Sequence, residues 1–225
     1  MANLRCIRSE QQQEVFFMKS STFQLTVISI LVALLVLMTV TGIGYIPVGP
    51  FKLTLLTLPV AIGAAVCGVK AGLILGTVFG LTSFATGLFG IDALGALLIS
   101  LGWKQAVLLF ITCLVPRVAC GFVPALLHKW LKPKNRTVAD AVTCSAVALL
   151  NTALFLGFFW VCFLSDLKND PQVLRLFGGA VNSFGALFAV FAGWNALIEV
   201  GVNLVLGTAI CKALQPVAAR LKLDA

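Results

Sequence analysis

The feature that most constrains this chain is a succession of long apolar runs broken by short polar or Gly/Pro-rich segments. A helix needs about 20 mainly apolar residues to cross the hydrocarbon core of a bilayer. Phe23–Val40 meets that need and ends at a Gly/Pro-rich loop, Gly42 to Pro50. Leu53–Cys67 is shorter and holds Pro59, and Ala71–Phe89 follows a tight Gly68-Val69-Lys70 turn. Gln105–Leu127, Ala139–Leu164 and a long run from Phe177 to Leu214 complete the set. The stretch Gly90–Trp103 is too short and too Gly-rich for a span, so we place it as a re-entrant or surface segment. The expected fold is all-α and polytopic, with six transmembrane helices in one membrane domain (23–215). Short tails precede and follow it (1–22 and 216–225). No internal repeat is evident.

Composition supports this reading. Hydrophobic residues make up 60% of the chain, charged residues 11%, and the mean hydropathy is +1.06. A soluble domain carries about 25% charged residues, so there is too little charge here to coat a water-facing surface. The net charge of +8 would point to a polyanion in a soluble protein. No basic face with interleaved aromatics exists, however, and no nucleic-acid partner is expected. Basic residues mark cytoplasmic helix ends instead. With both termini inside, the inner segments hold Arg5, Arg8, Lys19, Lys70, Lys129, Lys132, Lys134, Arg136, Lys212, Arg220 and Lys222, against Lys52, Lys104, Lys168 and Arg175 outside. That bias favours an even number of spans, both termini cytoplasmic, and a multi-pass protein of the cell membrane. The first apolar run is too long for a signal-peptide core and reads as a retained span.

Chemistry is sparse. The seven cysteines show no CxxC or Cys/His cluster, and the single histidine, His128, adjoins a basic loop. No metal or cofactor is expected. No nucleophile elbow, HExxH helix or P-loop is present, so the chain is not read as an enzyme. Ionisable groups inside a membrane are costly and default to functional hypotheses. Arg117 lies within the fourth run and Glu199 within the sixth. They are candidates for a structural ion pair; alternatively, Arg117 meets a substrate carboxylate, for which a guanidinium fork is suited. Asn195, Glu199 and Asn203 share a helix face, and Asn151 sits mid-span in the fifth run, so a polar seam between spans four, five and six is expected. Asn182 is a further amide candidate. Trp103 and Trp160 read as interfacial residues toward the outer side, Trp160 also as a substrate-site candidate. Trp194, beside Asn195, reads as a pocket wall, and Trp130 as an inner anchor. Small residues recur at four-residue spacing at Ser29/Ala33, Ala61/Ala65 and Gly72/Gly76/Gly80. Such faces let backbones approach closely, for internal packing or for docking of a second membrane subunit. The otherwise bulky first span makes Ser29/Ala33 the plausible partner face.

The ordered motifs carry a resemblance. After the Gly/Pro loop the chain reads Thr57-Leu58-Pro59-Val60-Ala61-Ile62-Gly63-Ala64, then Gly68-x-Lys70-x-Gly72 and Gly80-Leu81-Thr82-Ser83-Phe84. Val115-Pro116-Arg117-Val118 with Gly121, Leu150-Asn151-Thr152 and Asn195-Ala196-Leu197-Ile198-Glu199 follow. In order and spacing this resembles the substrate-binding S component of energy-coupling factor (ECF) vitamin transporters, most of all the pantothenate type, from about residue 22 to 215. The resemblance implies a six-helix membrane subunit that binds a vitamin near the outer face, in a pocket of spans four to six and outer loops. It implies docking on a transmembrane coupling subunit driven by two cytoplasmic ATPases. The family's Ala-x-x-x-Ala docking spacing falls here on Ser29 and Ala33, and the Gly44–Pro50 loop takes the place of the outer gate. Arg117, Asn151, Asn182 and Asn195 are the candidate partners for a carboxylate, hydroxyls and an amide; Lys52, Lys104 or Lys168 are alternative partners for the carboxylate. Another B-type vitamin, or a scaffold subunit without a pocket, are the competing readings.

Overall fold

The computed structural model describes residues 22–48, 51–169 and 193–220. The terminal tail residues 1–21 and 221–225, and the segment 170–192, lie outside the described residues. Helix α1 spans Thr22–Val40. A two-stranded antiparallel hairpin follows, β1 (Tyr45–Val48) and β2 (Phe51–Thr54), with Tyr45 opposite Thr54. Next come α2 (Thr57–Val66), α3 (Val69–Leu88), α4 (Ala93–Ser100), α5 (Trp103–Leu131) and α6 (Arg136–Asn169). Helix α7 (Gly193–Val202) runs through a π-helical turn, Asn203–Gly207, into α8 (Thr208–Arg220).

Five helical stretches among the described residues are long and apolar enough to cross a membrane: Thr22–Val40, Val69–Leu88, Trp103–Leu131, Arg136–Phe163 and Ala196–Pro216. The expected second span differs. Its first residues form β2, and its helical part, α2, has 10 residues, or about 15 Å of rise. Nearly every residue of α2 is buried, which is where a helix apolar on all sides belongs. Pro59 sits in its first turn, where a missing N–H costs nothing. The Gly90–Trp103 stretch contains α4, whose eight residues are too few to span. Asp92 caps α4 by accepting a 2.9 Å bond from the Gly95 amide, a device that contributes about 1 kcal/mol.

The small-residue faces sort themselves clearly. Gly72, Gly76 and Gly80 of α3 lie against α5. A Cβ on Gly72 would overlap the Gly121 carbonyl, one on Gly121 the Gly72 carbonyl, and one on Gly76 the Arg117 carbonyl. Ala61 and Ala65 are buried in the core around α2. Ser29 and Ala33, by contrast, are exposed on α1. Only 17% of the α1 window is buried, against 50% for α3, so α1 is a rim helix. It grips the body through Leu31, Leu35 and Thr39.

Helices α3 and α5 run antiparallel, as the Gly72–Gly121 and Gly80–Leu114 approaches show. The end where α3 begins and α5 stops therefore gathers Lys70, Lys129, Lys132, Lys134 and Arg136. There a buried His128 Nε2 meets Asp140 Oδ1 at 2.8 Å, and Gln215 of α8 donates to Asp140 Oδ2 at 2.6 Å. This network ties α5, α6 and α8 together at the basic end. The hairpin, α4 and the start of α5 form the other end. Trp103 and Trp130 are 81% and 68% exposed, near opposite tips of α5, separated by about 40 Å of helical rise. That matches a bilayer measured to its headgroups, where Trp is enriched.

Candidate functional site

Between the hairpin, the end of α3, the start of α4 and the facing sides of α5, α6 and α7 lies a cavity of about 110 Å³. A single water needs roughly 10–15 Å³ of such volume, so this space exceeds that of a structural water. Its polar wall comes from Tyr45, Thr54, Ser83, Thr86, Asp92, Arg117, Asn151, Thr152 and Glu199, and its apolar wall chiefly from Leu109, Phe155, Leu156 and Phe159.

Arg117 is placed by its neighbour in sequence. Pro116 has no N–H, so the carbonyl four residues back, that of Thr112, loses its helical donor. The Arg117 guanidinium curls toward this gap, with Nη1 donating to the Cys113 carbonyl at 3.1 Å and the Thr112 carbonyl at 3.4 Å. Its flat faces meet the rings of Phe79 and Phe155, 4.9 and 5.0 Å from the centroids. The residue is 8% exposed. Among the described residues no carboxylate lies within ion-pair distance of it, and Nε is buried without a hydrogen-bond partner. The effective penalty for burying an ion is several kcal/mol. Two cation–π contacts return about 0.5–2 kcal/mol each. The site thus holds the cation without neutralising it.

The expected Arg117–Glu199 ion pair is not formed. Both groups line the same cavity, but the carboxylate is engaged elsewhere. Glu199 Oε1 accepts from the Thr54 amide at 2.6 Å, and Oε2 from the Thr152 hydroxyl at 3.2 Å. Asn151 lies beside it, and the Asn151 Oδ1 atom is buried without a donor. Asn203, one turn on, points away from the cavity: its Nδ2 donates to the Thr57 hydroxyl and to the Glu199 carbonyl, each at 2.9 Å. Across the cavity, the Tyr45 and Ser83 hydroxyls share a 3.2 Å hydrogen bond. Burial pushes the Tyr45 phenol above its ordinary value, against the Ser83 bond and the Arg117 charge, which pull it down. Tyr45 therefore stays a neutral donor and acceptor in the wall.

Of the residues expected at a site, Arg117, Asn151 and Glu199 are brought together. Trp160 is half-buried against the apolar cluster of α4, α5 and α6 and does not line the cavity. Lys104 is exposed and does not line it either. Asn182 lies outside the described residues; Trp194 and Asn195 open α7, and their side chains, like those of Lys52 and Lys168, lie outside them too. Sequence reasoning missed Tyr45, Ser83, Thr86, Asp92 and Thr152. One signal was available: Asn151, Phe155 and Phe159 recur at four-residue spacing, which puts them on one helix face.

A bundle of membrane-length helices around a pocket with apolar walls and a few polar and charged groups is the architecture of a solute-binding integral membrane protein. Residues 23–211 match the family described as "ECF transporter, substrate-specific component", and the chain belongs to that family. It is also 30% identical over 204 residues to "Pantothenic acid transporter PanT" of Lactococcus lactis subsp. cremoris (strain MG1363), covering 87% of this chain and 95% of that protein.

Proposed function

We propose that this chain is the membrane-embedded subunit that binds pantothenate for an ATP-driven ECF importer, and that it is not itself an enzyme. The observation that carries the reading is the buried guanidinium of Arg117, which has no carboxylate at ion-pair distance among the described residues and stands on the wall of a partly open cavity. Such a group asks for an anion, and a carboxylate offers it a charge-assisted, two-pronged partner. Pantothenate has one carboxylate, two hydroxyls and an amide, and the relative from Lactococcus is named for it. The carboxylate meets Arg117, and Asn151, Asp92 and the Tyr45–Ser83 pair supply partners for the hydroxyls and the amide. Arg117 lies 14 residues into α5, about 21 Å along the helix from its start. The carboxylate therefore enters first and the hydroxyl end stays nearer the hairpin.

In the membrane, the stretch Leu53–Cys67, which holds α2, serves as the second of six spans. The basic end faces the cytoplasm of a multi-pass cell-membrane protein, and both termini lie there. Support comes from the clustered lysines and from the position of Gln215 beside Asp140 at that end. The cavity then opens outward under the hairpin. The exposed Ser29/Ala33 face of α1 docks the transmembrane coupling subunit, which the two ATPases drive.

The test is titration calorimetry of the purified protein in detergent against a panel of B vitamins. Saturable submicromolar binding of pantothenate is expected. Binding of a different carboxylate vitamin moves the substrate assignment. Silence across the panel from a folded protein overturns the binding role in favour of a scaffold subunit.

A further inference from the structure

The hairpin roofs the cavity with Tyr45 and Thr54, and something must hold it there. An isolated two-stranded hairpin is marginal in water, so its anchor matters. Its open end is tied to the chain before it by the Leu55 amide, which donates to the Gly44 carbonyl at 2.9 Å. The Thr54 amide points instead to Glu199, 145 residues away. From there a ring of bonds closes. The Thr57 hydroxyl donates to the Thr54 carbonyl at 3.2 Å, Asn203 donates to that hydroxyl, and the same Asn203 amide donates to the Glu199 carbonyl. Thr152 of α6 takes the remaining carboxylate oxygen. The π-helical turn begins at Asn203, and such turns recur at functional sites. Here it sits where α7 grips the foot of the hairpin.

We propose that Glu199 is a positioning residue: it fastens the foot of the β1–β2 hairpin to α6 and α7 and so sets how long a bound solute is retained. The proposal rests on the binding reading above. Both carboxylate oxygens already accept bonds from the protein, and the shorter bond goes to the hairpin. A solute beneath the hairpin leaves when that foot detaches, so losing Glu199 acts on dissociation more than on association.

Two measurements test this. Hydrogen exchange is followed in ligand-free protein over residues 44–56, and pantothenate dissociation is followed by rapid mixing. In Glu199→Ala, exchange over 44–56 quickens about tenfold or more while α3 and α5 keep their protection, since local opening is read segment by segment. Dissociation quickens by a similar factor of about ten. Glu199→Gln keeps an acceptor for the Thr54 amide and stays within about threefold of the parent on both readings. Thr54→Pro removes the donor with Glu199 intact, and it gives the same faster exchange if Glu199→Ala does not fold. Unchanged exchange over 44–56 in either variant overturns the proposal. Lost binding with unchanged exchange makes Glu199 a direct solute contact. If the parent binds no pantothenate, the function assignment has failed, and the ligand-free exchange still decides the latch.

Discussion

Arg117 keeps its charge where charge is costly, and that makes its removal informative. Truncating one partner of a buried, hydrogen-bonded charge pair costs about 2–5 kcal/mol of binding. Arg117→Gln should therefore weaken pantothenate by about 30-fold or more in calorimetry. Its thermal midpoint without ligand should be no lower than the parent's, because an uncompensated buried ion has been removed. A variant that melts well below the parent would make Arg117 a structural residue. The same logic separates ligands: pantothenol, with an alcohol in place of the carboxylate, should bind the parent at least about tenfold more weakly than pantothenate. It should lose little further in Arg117→Gln. Arg117, Asn151 and Glu199 were legible in the sequence because polar groups inside apolar runs stand out. The hydroxyls were not. Ser and Thr in membrane helices usually bond to their own backbone, as Thr39 and Thr77 do here at 2.9 and 2.8 Å, so their presence carries no signal. Trp160 stays off the cavity for a reason of helical phase: it follows Phe159 by one residue, which turns it about 100° off the cavity face.

At the scale of elements, the seam between α3 and α5 is the least forgiving contact. Gly121→Val places a branched side chain against the Gly72 carbonyl, with Gly76 Cα also close. Overpacking of this kind costs about 1–3 kcal/mol, and here the obstacle is backbone, which cannot rotate away. A lower melting midpoint in detergent is expected, and a midpoint equal to the parent's would show that the helices can separate freely. The long helices were legible from hydropathy and length alone. The hairpin was not, since its two four-residue strands read as a loop joined to the start of an apolar run. The π-helical turn had no sequence signature either, because its residues continue the apolar pattern of α7. The glycine spacing was visible as a face, but only the packed neighbour decides whether such a face is internal or free.

At the scale of the whole molecule, the proposed function gives two surfaces separate duties. The cavity lies at the hairpin end, and Ser29 and Ala33 lie on the outward side of the rim helix α1. Ala33 is exposed and does not line the cavity. Ala33→Phe should leave pantothenate affinity within about twofold of the parent, as an exposed substitution far from the site does. It should reduce the yield of intact complex when the coupling subunit and ATPases are co-purified. Loss of affinity with assembly intact would reverse the assignment of that surface. Topology has its own check. Single cysteines placed in a variant lacking the native seven should react with an impermeant reagent in whole cells at Ile46 and not at Lys134, given the positive-inside bias.

The glycine seam has a mechanical consequence. Where α3 and α5 touch backbone to backbone, at Gly72, Gly76 and Gly121, there are no side chains to slide or compress, so close packing resists displacement there. Arg117 and Ser83 belong to those two helices, while the hairpin foot is held to α6 and α7 by a few exchangeable hydrogen bonds. The cavity is therefore lopsided: one wall is locked by backbone contact, and the other rests on a few hydrogen bonds.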